Sequence, residues 1–434
     1  MKKAINIFWF RRDLRLDDNK GFYEALTGNN PVLPIFIFDS EILESLAKDD
    51  ARVTFIHDTL QTMQANLKES YGSGIAMYHG KPIAVFRKLV AQYNIETVYT
   101  NHDYEPYAKT RDLEIENFLS NHSIAFKTYK DQVIFEKEEI VKSDGTPYVV
   151  YTPYMKTWKA TFNSNKLHFF ETESFFDRLL KTENLPNLSL SDIGFIRASK
   201  TISEYTVTPG LIQNYEATRN FPAKNSTSKL GPHLRFGTVS IRKIIEKAIS
   251  EQNEIFWQEL IWREFFMHIL WHFPHTATQS FKPQYDRIEW RNNEHEFKAW
   301  CEGNTGYPLV DAGMRQLNET GFMHNRVRML VGSFLCKHLL IDWRWGEAYF
   351  AEKLHDYEMA SNVGNWQWVA GCGVDAAPYF RIFNPTTQIE KFDKNLEYIK
   401  KWCPDFQELT YPAPIVDHKM ARERCLQVYK SALQ

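Results

Sequence analysis

Cysteine is scarce in this chain. The five residues, Cys301, Cys336, Cys372, Cys403 and Cys425, are an odd number and form no C-x-x-C pair. A disulfide framework and the common zinc sites are thereby excluded, and a reducing compartment is expected. A surplus of one charge is also missing. With 52 basic and 54 acidic residues the formal net charge is −2, so only a local patch could hold nucleic acid. No apolar run reaches the length of a membrane span, and Val32 to Phe38 is typical of the longest. The apolar stretch after Met1-Lys2-Lys3 ends at Arg11-Arg12-Asp13, too early and too charged for export. The expectation is a cytoplasmic protein. No G-x-G-x-x-G follows the first apolar run and no G-x-S-x-G occurs, which removes the NAD fingerprint and the hydrolase nucleophile elbow. Internal repeats and low-complexity tracts are absent as well.

Aromatics are what the chain has in excess: 12 Trp, 21 Tyr and 31 Phe among 434 residues. Large rings pack cores, and indoles also stack on flat ligands. The apolar share of 43% and charged share of 24% are those of an ordinary globular protein, long enough for two or three domains.

Over residues 1–130, short apolar runs alternate with helical patterns. Ile5 to Phe10, Val32 to Phe38, Gly74 to Tyr78, Glu96 to Thr100 and Ala125 to Tyr129 have the pattern of buried strands. Arg52 to Tyr71 and Pro82 to Tyr93 have that of helices, the second with Pro in its first turn. The alternation predicts a doubly wound, Rossmann-like α/β domain with a parallel sheet and ligands at the carboxyl ends of its strands. Residues 131–204 lose the periodicity. They carry Gly145-Thr146-Pro147, Tyr151-Thr152-Pro153 and the polar stretch 181–192, and are expected to be an interdomain connector. From 205 onward the strand signals vanish. Asn253 to Phe273, Tyr307 to Thr320 and Asn325 to Leu340 repeat at helical spacing, and ten of the 12 Trp fall in this half. Residues 205–434 are expected to form an all-α domain.

Four segments of that half gather chemistry. Glu259, Trp262 and Arg263 share a helix face by i, i+3, i+4 spacing. They suit an intrahelical Glu–Arg pair, or a cleft wall offering an indole to a base, a carboxylate to its N–H and a guanidinium to phosphate. Gly321 to Ile341 has no acidic residue and holds Arg326, Arg328 and Lys337, with Asn325 and Met329 one turn apart. This is a solvated basic helix, or an amide and a thioether set against a base. Ser226 to His233 places hydroxyls, Lys229 and Gly231 before a helix, as a cap or as a phosphate cradle. Leu354 to Trp368 crowds carboxylates, amides and two indoles, with Asp356 able to pair with Arg328. The alternatives there are a capped helix end packed by Trp, or a polar pocket beside an aromatic wall. Neither Asp356 nor Glu358 has a His at metal-ligand spacing.

Several of these residues fall in longer motifs. Phe8-Trp9-Phe10-Arg11-Arg12-Asp13-Leu14-Arg15-Leu16-Asp17-Asp18-Asn19, Thr227-Ser228-x-Leu230, Trp262-Arg263-Glu264-Phe265, Gly306-Tyr307-Pro308-x-Val310-Asp311-Ala312 and Ala376-Ala377-Pro378-Tyr379-Phe380-Arg381-Ile382-Phe383-Asn384-Pro385 follow one another along the chain. In that order they resemble the photolyase/cryptochrome family over essentially the whole sequence, most closely the bacterial class I cyclobutane pyrimidine dimer enzymes. The resemblance implies an α/β antenna-binding domain, an all-α FAD-binding domain, and UV-damaged DNA as partner. It implies that fully reduced FAD, excited by light, passes an electron to a flipped-out dimer, which splits and returns it. It further implies a monomer with no obligate protein partner.

By the same resemblance, Tyr215, Thr227, Ser228, Lys229, Leu230 and Gly231 match the FAD phosphate and ribityl region. Arg263, Arg328, Asp356, Tyr357 and Glu358 match the surroundings of the ring, and Asn362 the position facing flavin N5, where plant-type cryptochromes carry Asp and animal-type ones Cys. Glu259, Trp262, Arg263, Asn325, Met329 and Trp368 match the dimer pocket, with Glu259 and Asn325 also touching the cofactor. Arg219, Arg326 and Gln388 match DNA contacts. Trp366, Trp343 and Trp290 match the chain that carries electrons to FAD from the surface. Gly231 departs from the hydroxyl residue common in the phosphate loop, and Phe256 and Phe322 replace Trp of some relatives. Glu105 resembles a folate-contacting glutamate, but the Cys-Lys pair of some folate-binding relatives is missing at Ala277-Thr278. A folate antenna (5,10-methenyltetrahydrofolate), a deazaflavin, a second flavin or none all stay open. A blue-light cryptochrome without repair and a (6-4) photolyase are the alternatives. Asn362 disfavours the first, as does an ordered stretch after Asn384 in place of a long tail. Asn325 and Met329 disfavour the second.

Overall fold

Five parallel strands, β1 (Ala4–Phe10), β2 (Val32–Asp39), β3 (Ala76–Gly80), β4 (Asn94–Asn101) and β5 (Ala125–Tyr129), form one sheet in the order β3-β2-β1-β4-β5. The computed structural model that shows this describes residues 3–164, 167–182 and 184–434. Met1 and Lys2 of the N-terminal stretch, and Glu183 of the polar stretch 181–192, lie outside them. The runs are continuously apolar because both sheet faces are covered. Phe8 and Phe10 of β1 enter one core with Phe36 and Phe38, while Ile5, Ile7 and Trp9 enter another with Leu33, Ile35 and Ile37. The expected doubly wound sheet is present. β1 lies between β2 and β4, so the order reverses there, and a crevice opens where such a reversal occurs. β3 begins two residues later than its apolar run suggests. Gln64 takes the Ile75 N–H and packs on Gly74, which removes both residues from the ladder.

Among the described residues the C-terminal half is helical. The helices Glu254–His272, Pro308–Thr320 and Asn325–Ser333 match their expected spans, with Asn253 and Tyr307 serving as N-caps of the first two. The last continues as a π-turn, Phe334–Leu339, ended by Leu340 at φ 54°. No described helix is long and apolar enough to cross a membrane.

The domain boundaries differ from the expected ones. One compact unit runs to Glu136 and includes Phe162–Tyr205 and Leu230–Lys247. The other comprises Lys137–Thr161, Thr206–Lys229 and Ala248–Gln434. The stretch 131–204 is thus no independent connector, and it contains a 14-residue helix, Tyr151–Ser164. Pro153 hides that helix in the sequence, yet it lies in the first turn, where no backbone N–H is needed. Tyr151, Tyr154 and Trp158, at i, i+3 and i+7, are its buried stripe.

Candidate functional site

The second unit holds a cavity of about 600 Å³. Two helices set its walls: Asn325–Ser333 contributes Asn325, Arg328 and Met329, and Met359–Ala370 contributes Asn362, Trp366 and Trp368. Asp356, Tyr357 and Glu358, just before the second helix, close one side. His324 caps the first helix, its Nδ1 accepting the Arg326 N–H at 3.2 Å. Burial and the cations Lys229, Arg328 and Arg326 push His324 down to about 4, so it stays a neutral acceptor.

Two forked ion pairs fix the floor. Arg328 donates to both Asp356 oxygens at 3.2 and 2.9 Å, and its Nε donates to the Met323 carbonyl. Arg263 reaches both Glu358 oxygens at 3.0 and 3.1 Å. Paired forks of this kind hold planar groups in one orientation. The intrahelical Glu259–Arg263 pair does not form, since Glu259 is taken by Arg219. Asn362 donates its side-chain N–H to the Glu347 carboxylate at 2.9 Å and to the Glu347 carbonyl at 3.1 Å. Burial pushes the Glu347 carboxyl up.

Trp366 passes from the cavity into the helical core, 5.0 Å from the Phe350 ring and 6.2 Å from Trp300. It rests against Gly346, where an added side chain would collide with the indole. Trp343 is buried in the same core, and Trp290 packs at its partly exposed edge, perpendicular to Tyr429.

Other expected residues lie elsewhere. Glu259 and Trp262 do not line the cavity; Trp262 lies flat on Tyr151, with ring centroids 3.6 Å apart and planes 8° apart. Arg326 donates to the Asn220 side chain at 2.5 Å and stacks on Phe392 at 4.5 Å. Phe392 ends the Pro385–Phe392 helix that carries Gln388. Burial lowers the Arg326 pKa, and Arg219 and Arg381 lower it further. Arg326 and Arg381, with Arg219 paired to Glu259, therefore bring guanidinium groups together in a chain of net charge −2.

Tyr215 packs edge-on to Phe256, and burial pushes its phenol up to about 12. The Thr227 hydroxyl is buried without a hydrogen-bond partner, and the Ser228 carbonyl accepts the Thr206 N–H. Lys229 has φ 57°, and its ammonium sits 3.3 Å above the Phe322 ring. Lys229 lines a separate polar cavity with Lys224 and Lys401, not the one holding Asn362. Leu230 and Gly231 open the short Leu230–Phe236 helix in the first unit.

That unit has its own cavity, about 800 Å³, at the carboxyl ends of β1, β2 and β4. Trp9, Phe36 and Phe38 give it apolar walls, and Arg11, Arg12, Arg111 and Arg235 line it. Glu105 is fixed there by Arg12 at 3.1 Å and Arg235 at 3.3 Å. Tyr107 donates to Asp39 at 2.6 Å.

Three functional candidates were not singled out in the sequence: Glu347, Arg381 and Tyr151. Only Arg381 had a signal, its place in the Ala376-to-Pro385 motif. The site's donor set fits a flavin dinucleotide. The orphaned Thr227 hydroxyl has the chemistry for a phosphate or ribityl oxygen, and the cavity offers rings, amides and forked pairs for a flat heterocycle.

Comparison with known proteins agrees. Residues 6–173 match the DNA photolyase family model, and residues 256–431 match the FAD-binding domain of DNA photolyase. A deoxyribodipyrimidine photo-lyase of Agrobacterium fabrum is 36% identical over 99% of this chain and 98% of its own. The Escherichia coli enzyme of that name is 34% identical over 99% of both. A class III photolyase of Agrobacterium tumefaciens superimposes with a TM-score of 0.87 at 34% identity, covering 100% of this chain and 98% of its own. An archaeal photolyase from Sulfolobus tokodaii, holding two FAD molecules, gives 0.83 at 32%, covering 98% and 99%. Similarity to a class III enzyme means that overall identity does not single out the class I subfamily.

Proposed function

The chain belongs to the DNA photolyase family, and from that premise we propose that it repairs cyclobutane pyrimidine dimers in UV-damaged DNA. The observation that carries this is the convergence of Asn325, Met329, Asn362 and Trp368 on one cavity beside the Arg328–Asp356 and Arg263–Glu358 pairs. Reduced FAD, when bound, supplies light-driven transfer of an electron to the dimer and its recovery.

The protein's own residues bind, orient and insulate. Thr227, Ser228 and Lys229, with Tyr215, would hold the phosphate and ribityl portion. Arg263, Arg328, Asp356, Tyr357 and Glu358 would frame the ring. The Asn362 N–H is committed to Glu347, so its carbonyl oxygen is the end left for the ring, and an amide supplies no strong acid there. Asn325, Met329, Trp368, Glu259 and Trp262 would receive the extruded dimer, since a poorly stacked lesion costs less to flip. Arg219, Arg326 and Gln388 would hold phosphates. Trp366, Trp343 and Trp290 would carry electrons inward from the surface.

The cavity of the first unit is proposed as an antenna site. Its apolar walls suit a flat chromophore, a description that a folate, a deazaflavin and a second flavin all meet. Glu105, closed off by two arginines, is then part of that wall. The protein is proposed to act as a cytoplasmic monomer.

Dark binding tests lesion recognition. FAD-loaded protein should prefer an oligonucleotide with one cyclobutane dimer over its undamaged copy by at least about 10³-fold. Equal affinity for both would favour a cryptochrome, and preference for a (6-4) lesion would favour that repair class.

A further inference from the structure

The stretch expected to be a connector sends a residue against Trp262. Tyr151, first residue of the Tyr151–Ser164 helix, lies face to face with Trp262, centroids 3.6 Å apart and planes 8° apart. No other ring pair in the described part of the second unit is as close and as parallel. Tyr151 is itself held at three points. Its phenol donates to the Gln258 carbonyl at 2.8 Å, one turn before Trp262. Its N–H donates to Asp375 at 3.2 Å, and its ring meets the Phe265 edge at 5.8 Å. It is buried, and the Glu259 carboxylate and Arg219 guanidinium both act on its phenol, which stays neutral. Three residues assigned to the lesion and its strand, Glu259, Trp262 and Arg219, therefore gather round one tyrosine.

We propose that Tyr151 is a positioning residue for lesion binding: it backs one face of the Trp262 indole and fixes the ring plane that meets the dimer. This rests on Trp262 contacting the lesion. A half-buried indole can turn about its side-chain bonds, and ordering such a side chain on binding weakens affinity. A flat partner on one face removes that freedom beforehand, and offset or parallel ring contact favours a single plane. The hydroxyl serves only to hold the Tyr151 ring through Gln258, so the face, not the phenol, is what Trp262 needs.

The test uses FAD-loaded full-length protein with Tyr151→Phe, Tyr151→Leu and Tyr151→Ala. Leu keeps bulk without a flat face. Melting temperature and FAD content are recorded for each, and binding is measured to dimer-bearing and undamaged oligonucleotides. Expected are a loss of about tenfold in dimer affinity for Leu and Ala, near-wild-type affinity for Phe, and unchanged binding of undamaged DNA. Repair per photon absorbed by saturated complex should stay within about twofold, since stacking sets binding rather than electron transfer. Unchanged dimer affinity in both Leu and Ala would overturn the proposal. So would a loss in Phe equal to that in Ala, or an equal loss on damaged and undamaged DNA with lowered FAD content, which marks a purely structural role. If wild-type protein and Trp262→Ala bind dimer DNA equally, the assignment of Trp262 fails instead, and the two failures are distinct.

Discussion

Asn362 and Glu347 are joined by a side-chain hydrogen bond of 2.9 Å, from the amide N–H to the carboxylate. A second bond, 3.1 Å to the Glu347 carbonyl, uses the same nitrogen. The amide orientation opposite the expected flavin is thereby set by a residue on the neighbouring Trp343–Lys353 helix. Losing one such bond is worth about 1 kcal/mol, or roughly fivefold. Glu347→Leu is expected to speed dark reoxidation of reduced FAD about fivefold, whereas Glu347→Gln, which keeps an acceptor, stays near wild type. Flavin absorbance after photoreduction reads both. Identical rates in all three proteins would mean that Asn362 is oriented by something else.

Trp366 is the first indole off the cavity. Trp366→Phe should abolish photoreduction of oxidised FAD yet leave repair by chemically reduced enzyme largely intact. If repair falls as far as photoreduction, Trp366 belongs to the dimer pocket rather than to electron supply.

Lys229 gives a pH dependence. Burial, with Arg328 and Lys401 nearby, pushes its ammonium down to about 8 despite Asp356. It is charged below that pH and neutral above it. An anion held by Lys229 is therefore released as pH rises through about 8. FAD affinity should fall across that range, and Lys229→Arg should flatten the curve. The stability effect runs the other way. The folded pKa lies below the unfolded value of about 10.4, so the charged group lowers stability below about 8, and that cost fades as pH rises toward 10.4. Flat FAD affinity from pH 7 to 9 would remove Lys229 from the phosphate contacts.

Arg326 lies near Arg381 and near Arg219, which is paired to Glu259. Arg326→Ala should reduce the slope of log affinity against log salt by about one, equally for damaged and undamaged DNA. An unaltered slope would take Arg326 off the phosphates.

Elements whose signal is local were legible in the sequence. The strands of the first unit alternate between two apolar cores, so they stand out as short apolar runs, and the Asn325–Ser333 helix presents Asn325 and Met329 one turn apart. The Arg328–Asp356 pair was legible from charge and motif together. What was hidden depends on distant partners. Tyr151 meets Trp262 across 111 positions, and its helix starts behind Pro153. Glu347 meets Asn362 from another helix, with no pattern joining them. The Glu259–Arg263 pairing expected from helical spacing gave way to Arg219 and Glu358, which lie outside that helix. Lys229 lines a second cavity, and its backbone stands at positive φ just before the Leu230–Phe236 helix, neither of which a sequence pattern marks.

The most direct measurement is light-dependent loss of cyclobutane thymine dimers from a short oligonucleotide, using protein with chemically reduced FAD. A dark sample and a (6-4) substrate run alongside. The account predicts repair of the cyclobutane dimer under blue or near-UV light only, and none of the (6-4) lesion. No repair of either lesion by FAD-loaded, photoreducible protein would contradict it.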